Sequence, residues 1–129
     1  MRISKYFRFT IKGDDLNPNI IKDTVNLPCD IFIKDEMTVT GILKTEILQK
    51  TNRWVYRAEL NGESSVNAFL TKHLETISRE LYILKKYIEK FDSKIEIIIY
   101  AGNKTDINLS LKQIRLLNNI GVPFSISFC

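Results

Sequence analysis

The stretch ISKYFRFTIK at residues 3 to 12 alternates apolar and polar side chains, and this alternation is the strongest constraint on the fold. Successive side chains of a β-strand point to opposite faces of the sheet, so a period of two predicts a strand that is buried on one face only. Phe7, Phe9 and Ile11 then point into the core, while Arg8 and Lys12 point the other way.

The same period surrounds the only tryptophan of the chain, in NRWVYRAEL at residues 52 to 60. Trp54 and Tyr56 are in phase with Ala58, whereas Arg53 and Arg57 fall on the opposite side. A tryptophan in phase with other apolar residues indicates the core side of a strand rather than the aromatic anchor of a binding site.

Alternation or β-branched composition predicts further strands at residues 30–34, 38–48, 93–102 and 122–129. The strand at 93–102 is the most apolar, which favours the centre of the sheet. A first helix is predicted from Asn17, its cap, to Pro28, and a last helix from a cap at Ser110 to Gly121. Gly41 is a candidate bulge within the 38–48 strand.

Apolar residues at steps of three and four predict a long helix over residues 65–91. An unbroken helix of this length would extend about 40 Å, which is long for a domain of this size. The helix therefore either runs along the whole sheet or breaks near Ser78. The spacing also permits a coiled-coil seam, which covers only about three heptads here.

The resulting order is β-α-β-β-β-α-β-α-β. Because most strands alternate, one sheet face is expected to be covered by helices and the other to be polar. This predicts an α+β two-layer sandwich, with a mixed or antiparallel sheet of five to six strands and helices on one face. No linker or repeat interrupts the pattern, so we expect a single domain over residues 1–129.

The composition is that of an ordinary globular protein, with 44% hydrophobic residues and a net charge of +4. The N-terminus has no apolar signal segment, and the longest apolar run is too short to cross a bilayer. We therefore expect a soluble cytoplasmic protein without a membrane association, in which Cys29 and Cys129 do not form a disulfide.

The sequence contains no constellation of residues that commits the chain to a reaction. His73 is the only histidine, and the two cysteines are far from it in sequence, so clustered zinc ligands are missing. No phosphate-binding loop, dinucleotide fingerprint or nucleophile elbow is present. We therefore predict no catalytic residues, no metal and no cofactor, and a protein that is not an enzyme.

The polar sheet face is the one candidate site. Tyr6, Arg8 and Lys12 of the first strand and Arg53 and Arg57 of the strand around the tryptophan predict a basic patch with one aromatic ring. Such a face could be a solvated exterior, a surface that docks an acidic protein, or a surface that binds nucleic acid.

Four stretches of the chain resemble a bacterial family known as domain of unknown function 4279. They are YFRFTIKGDDLNPNIIKDTVNLP, NRWVYRAEL, FLTKHLETI and LSLKQIRLLNNIGVPFSISF, and together they span nearly the whole sequence. The resemblance implies an α+β domain without an established activity. It further implies a small bacterial protein, and some relatives accompany toxin or defence genes.

Three functional hypotheses follow. The first is a small protein-interaction module, specifically an immunity protein that binds a partner toxin. The second is a nucleic-acid-binding domain that uses the basic sheet face. The third is a small-ligand sensor or enzyme with a pocket near Trp54 and His73. A homodimer is also open, through the final strand or the strand at 30–34, because unpaired sheet edges readily pair.

Overall fold

The computed structural model describes residues 3–40, 44–61, 65–100 and 107–128 of the chain. The elements within these ranges are, in order, β1 (Ile3–Gly13), α1 (Pro18–Thr24), β2 (Asp30–Phe32), β3 (Met37–Thr40), β4 (Thr45–Leu48), β5 (Asn52–Asn61), α2 (Val66–Arg79), α3 (Leu81–Lys90), β6 (Asp92–Ile99), α4 (Leu111–Ile120) and β7 (Phe124–Phe128). The predicted order is confirmed, with one predicted strand and one predicted helix each divided in two.

Five strands form one mixed sheet in the order β2-β5-β1-β6-β7. The pairs are antiparallel except for β6 and β7, which are parallel. The predicted edge positions of β2 and β7 are confirmed. The prediction that the strand at 93–102 is the centre of the sheet is wrong, because β1 pairs along its length with both β5 and β6 and takes that place.

The strand predicted over residues 38–48 is two short strands. β3 and β4 pair antiparallel as a separate two-stranded sheet, with Met37 opposite Leu48. Lys44 has a φ of 50°, a left-handed conformation that lets the chain reverse direction just before β4. The many β-branched residues of this stretch favour a single strand, and Gly41 within it is interpreted as a bulge rather than as part of a turn. Gly41, the candidate bulge, lies outside the described residues.

The long helical segment breaks at Glu80, two residues after the predicted break at Ser78, into α2 and α3. The Glu80 carboxylate accepts a hydrogen bond from the backbone N–H of Asn26 at 2.7 Å, so the break is tied to the loop that follows α1. Both helices bury apolar residues in the core, among them Leu74 of α2 and Leu84 of α3. They cover the sheet rather than form a coiled-coil seam.

One hydrophobic core lies between the sheet and the helices. It joins Ile21 of α1 and Ile120 of α4 to strand residues such as Phe9 and Trp54. Trp54 is completely buried, as the alternation predicts, and its indole meets the Phe9 ring edge-on at 5.7 Å between centroids. The α+β two-layer arrangement with helices on one sheet face is therefore confirmed.

The predicted caps are present where the helices begin and end. Asn17 accepts a hydrogen bond from the N–H of Asn19, and Ser110 forms a capping box with Gln113. Gly121 has a φ of 77°, the left-handed conformation that ends a helix. The first helix ends at Thr24, before the predicted stop at Pro28, because the chain is already extended at residue 25.

Candidate functional site

The five residues predicted as a partner-binding surface lie together on the sheet face opposite the helices. Directly opposite residues of an antiparallel pair point to the same face. Arg8 is opposite Arg57, Lys12 is opposite Arg53, and Tyr6 precedes Arg8 by two residues on the same strand. We call this surface the outer sheet face. It comprises Asp30 and Phe32 of β2, Arg53, Val55, Arg57 and Glu59 of β5, Tyr6, Arg8, Thr10 and Lys12 of β1, Asp92, Lys94, Glu96 and Ile98 of β6, and Ser125 and Ser127 of β7.

Arg8 lies near the centre of this face, between Arg57 on one neighbouring strand and Glu96 on the other. Its Nε and Nη2 atoms donate to the same Glu96 oxygen at 3.1 and 3.0 Å. Two arginines directly opposite each other repel. Arg57 has its own carboxylate on the far side, with Nη2 4.0 Å from Oδ2 of Asp30. The charge of Arg8 is thus compensated by Glu96 on β6, and the charge of Arg57 by Asp30 on β2. Each carboxylate lies on the side away from the other arginine.

Arg53 is held by an aromatic ring and an amide instead of a carboxylate. Its guanidinium carbon lies 4.4 Å from the centroid of the Phe32 ring, and Nη2 donates to Oε1 of Gln49 at 2.7 Å. Partial burial and, after it, the positive charge of Arg8 lower the pKa of Arg53 from its ordinary value. An arginine stays charged despite such a shift. The Arg53 guanidinium is therefore oriented before any partner binds. A carboxylate of a partner beside it would offset the cost of its partly buried charge.

Tyr6 is not an open stacking platform for a base. Its ring meets the ring of Tyr100 edge-on at 5.6 Å between centroids, and the Arg57 guanidinium carbon lies 5.8 Å from its centroid. Burial raises the pKa of Tyr6, and the neighbouring Tyr100 and Glu59 raise it further. The phenol is therefore a neutral hydrogen-bonding group at physiological pH.

Cations and carboxylates nearly balance across the outer sheet face. Besides the pairs around Arg8, Lys12 is 3.7 Å from Asp92 and Lys94 is 3.6 Å from Glu96. The basic residues of the face are Arg8, Lys12, Arg53, Arg57 and Lys94, and the acidic ones are Asp30, Glu59, Asp92 and Glu96. Five positive and four negative charges leave it close to neutral. The surface predicted as a basic patch therefore carries positive and negative side chains in nearly equal number.

Beneath the charged groups the face has a small, partly apolar floor. Thr10 and Val55 are directly opposite each other and are only 5% and 4% exposed. Val55 does not belong to the main core, which lies on the other side of the sheet. The aliphatic stems of long charged side chains cover such small residues while their charged ends reach water. A partner that moved these side chains would gain apolar contact as well.

An open depression of about 370 Å³ borders this face, lined by Pro28, Cys29, Asp30, Arg57 and Glu59. Burial raises the pKa of the Cys29 thiol, so the group is protonated near neutral pH and a poor nucleophile. The nearby indole of Trp54 opposes this shift, but its Nε1 makes no hydrogen bond of proper geometry with the sulfur.

His73 is buried and forms a hydrogen bond with Tyr56. The Tyr56 hydroxyl lies 2.6 Å from Nδ1 of His73, and the rings of Phe7 and Phe69 pack on the imidazole at 5.5 and 4.6 Å between centroids. Burial, followed by the charge of Lys72, lowers the pKa of His73 to about 4. The imidazole is therefore neutral at physiological pH, and its Nδ1 shares a hydrogen bond with the Tyr56 hydroxyl.

The third functional hypothesis places a pocket near Trp54 and His73. Trp54 is fully buried, and neither residue lines any of four surface depressions formed by described residues. Within the same ranges, no three His, Cys, Asp or Glu residues are placed to hold a metal ion. Nor does any described helix have the length and apolar character needed to cross a membrane.

The sequence placed the five predicted residues on one face but missed their partners. Asp30, Phe32 and Glu96 are in phase with that face within their own strands. Which of them meets which arginine depends on the register between strands that are distant in sequence. Alternation within single strands carries no information on that register.

The mixed sheet has helices on one face and an ion-paired second face that no helix of the described ranges covers, which defines a two-layer α+β domain. The family model described as a domain of unknown function (DUF4279) matches residues 4–128. The chain therefore belongs to this family, as the sequence resemblance indicates. No curated protein and no solved structure matches the chain.

Proposed function

We propose that this chain is a protein-interaction module that docks its partner on the outer sheet face. The observation that carries the proposal is that positive and negative side chains are interspersed on a sheet face that no described helix covers. Sheets normally bury at least one face and can leave the other to solvent. What favours a partner here is the orientation of the arginines before any partner arrives.

Arginine is enriched, with tryptophan and tyrosine, among the few residues that dominate the energy of protein interfaces. Arg53 is fixed by Phe32 and Gln49, and Arg57 lies between Tyr6 and Asp30. A side chain that is already ordered loses less conformational entropy on binding. An acidic partner residue above Arg53 would gain a charge-assisted hydrogen bond at little entropic cost.

The partner chemistry that fits is a protein surface of mixed charge with an acidic group at its centre. The carboxylates Asp30, Glu59 and Asp92 stand at the margins of the face and would meet basic partner residues. Complementary charge patterns fix the register of two proteins and exclude wrong partners. We propose a toxin occluded by this chain as the specific partner, in line with the immunity role expected from the family resemblance.

The same mixture of charges on the outer sheet face is unfavourable for the binding of nucleic acid. A phosphate backbone would be attracted by Arg8 and Arg57 but repelled by Glu96 and Glu59, which lie on the same face. Nucleic-acid binding through phosphates also weakens steeply as salt is raised. If a titration with single-stranded RNA or DNA at low salt showed tight, salt-sensitive binding that Arg57→Glu abolishes, the nucleic-acid hypothesis would replace the proposed one.

The experiment is co-purification from the native host, followed by reconstitution with the purified partner. The double variant Lys12→Glu/Arg57→Glu reverses two exposed charges of the face, and the control Lys22→Glu/Lys85→Glu reverses two exposed charges on α1 and α3. Both variants change the net charge equally. We expect the first to lower partner affinity at least tenfold and the second to leave it unchanged. Equal losses in the two variants, or a loss only in the control, would contradict the assignment of the surface.

A further inference from the structure

We propose that the chain forms a two-fold symmetric dimer in which β7 pairs antiparallel with β7 of a second copy. This inference concerns an edge of the sheet and is independent of the proposed docking face. β7 has the sequence FSISF and pairs with β6 on one side. On its other side, no described strand pairs with it.

The backbone groups on the open side of β7 can be assigned from its pairing with β6. The N–H of Ile95 donates to the carbonyl of Pro123 at 2.9 Å, and the two strands run parallel. Backbone groups of alternate residues point to the same edge of a strand. Residue 125 therefore faces β6, and Phe124, Ile126 and Phe128 present their N–H and C=O groups to the open edge.

This edge is complementary to itself under a two-fold axis through Ile126. Ile126 then faces Ile126 of the second copy, and each Phe124 faces a Phe128 with which it can exchange both backbone hydrogen bonds. Ser125 faces Ser127 on the opposite side of the ribbon. Apolar side chains thus meet apolar ones, serines meet serines, and no like charges are opposed.

Monomeric proteins usually guard such an edge with charged residues, a proline or a bulge. β7 contains no charged residue and no proline, whereas the other edge strand, β2, is only three residues long and carries Asp30. An edge strand that has neither charged residues nor a proline can readily pair with a strand of another molecule. The second copy is the partner whose edge is matched to it by symmetry.

Exposed apolar residues cluster at the same end of the domain. Phe128 is 69% exposed, and Leu111 and Ile114 in the first turn of α4 are 62% and 49% exposed. α4 connects the parallel strands β6 and β7, so its first turn stands at the end of the sheet where β7 ends. Pairing of two β7 strands would bring the Phe128 side chains out of water and reduce the apolar surface.

The dimer has a consequence for the docking face. A two-fold axis perpendicular to the sheet leaves both outer sheet faces on the same side of one continuous sheet. A partner with two binding surfaces, or two linked partners, would then bind with higher effective affinity than one copy allows.

The test is the solution mass by light scattering over a range of concentrations. We expect the protein to have twice the mass of the 15.0 kDa chain and to dissociate on dilution. Ser125→Lys/Ser127→Lys opposes lysines across the axis and should be monomeric, as should Ser125→Glu/Ser127→Glu. An equimolar mixture of these two variants should restore the dimer, because each lysine then faces a glutamate.

The control Asn19→Lys/Asn26→Lys adds the same charge at exposed positions near α1 and should remain a dimer. Circular dichroism establishes that each variant is folded. The backbone amide of Ile126 provides a second measurement, with hydrogen exchange that slows as protein concentration rises. A wild-type protein of single-chain mass at all concentrations would overturn the proposal. A dimer that persists in the lysine variant would overturn it as well, as would folded charge variants that do not associate when mixed.

Discussion

The hydroxyl of Tyr56 and Nδ1 of His73 lie 2.6 Å apart in the core, and this contact joins β5 to α2. The only histidine of the chain is thereby a structural group. Its neutral form shares a hydrogen bond with the Tyr56 hydroxyl, whereas the protonated imidazole would carry a buried charge. The contact therefore makes the stability of the fold depend on pH.

Stability should fall as the pH is lowered from about 6.5 to 4. The folded-state pKa of His73 is about 4, against about 6.5 in an unfolded chain, so the unfolded state binds more protons between these values. The contribution is fully present above the higher pKa and is lost as the pH approaches the lower one. The loss approaches about 3 kcal/mol by linkage. Urea unfolding at a series of pH values measures it, and His73→Gln should remove this component. An identical pH slope in the wild type and the variant would contradict the assignment.

Trp54 should report a dry environment and contribute strongly to stability. It is the only tryptophan and is fully buried, so its fluorescence should be blue-shifted and insensitive to iodide until the protein unfolds. Trp54→Ala should lower the free energy of unfolding by about 3 to 5 kcal/mol because it leaves a large cavity. Tyr82→Ala, at a highly exposed ring, is the control and should change it by less than about 0.5 kcal/mol. Equal effects of the two substitutions would show that the indole does not pack as described.

Glu96 should be needed to hold two opposed arginines on the outer sheet face. Glu96→Gln keeps the size of the side chain but removes the charge that compensates Arg8, which faces Arg57. We expect a loss of about 1 to 2 kcal/mol in the free energy of unfolding at low salt, and less at high salt.

The repulsion itself is tested by adding Arg57→Gln to the Glu96→Gln variant. Removing one of the two cations should recover part of the lost stability, whereas Arg57→Gln alone should not stabilise the wild type. The control Glu46→Gln lies on the exposed β4 strand and should have almost no effect. A double variant that is less stable than Glu96→Gln would rule out repulsion as the cause.

Gly13 at the end of β1 should not tolerate a side chain. A Cβ atom at this position would lie 2.6 Å from Cδ1 of Phe91, well inside van der Waals contact. Gly13→Ala should lower the free energy of unfolding by about 1 to 3 kcal/mol through overpacking. The same substitution in a Phe91→Leu background should cost clearly less, since the smaller side chain leaves room. An equal cost in both backgrounds would mean that Phe91 is not the obstacle.

The sequence was informative wherever a residue's environment depends on its own element. Alternation in β1 and β5 predicted the burial of Phe9 and Trp54, and it placed Arg8 and Arg57 on the opposite face. Helical spacing with a length too great for the domain left two alternatives, a continuous helix or a break near Ser78, and the structure has the break, at Glu80. These properties are set by local backbone geometry, which a single segment determines.

What escaped prediction depends on pairing between segments. The central place of β1 and the contact of Arg8 with Glu96 follow from strand order and register, which no single strand encodes. The division of residues 38–48 was missed because β-branched residues favour both arms of the hairpin equally. The proximity of Cys29 to Trp54 likewise depends on β2 pairing with β5, since Ile31 lies opposite Trp54.

The most direct test of the docking surface is methyl NMR of the protein titrated with its purified partner. Val55 and Ile98 report on the outer sheet face, while Ile20 and Ile114 report on exposed positions of the helical side. Shifts or broadening confined to Val55 and Ile98 are the predicted result. Changes at Ile20 and Ile114 that leave the two outer-face methyl groups unaltered would contradict the assignment of the outer sheet face as the interaction surface.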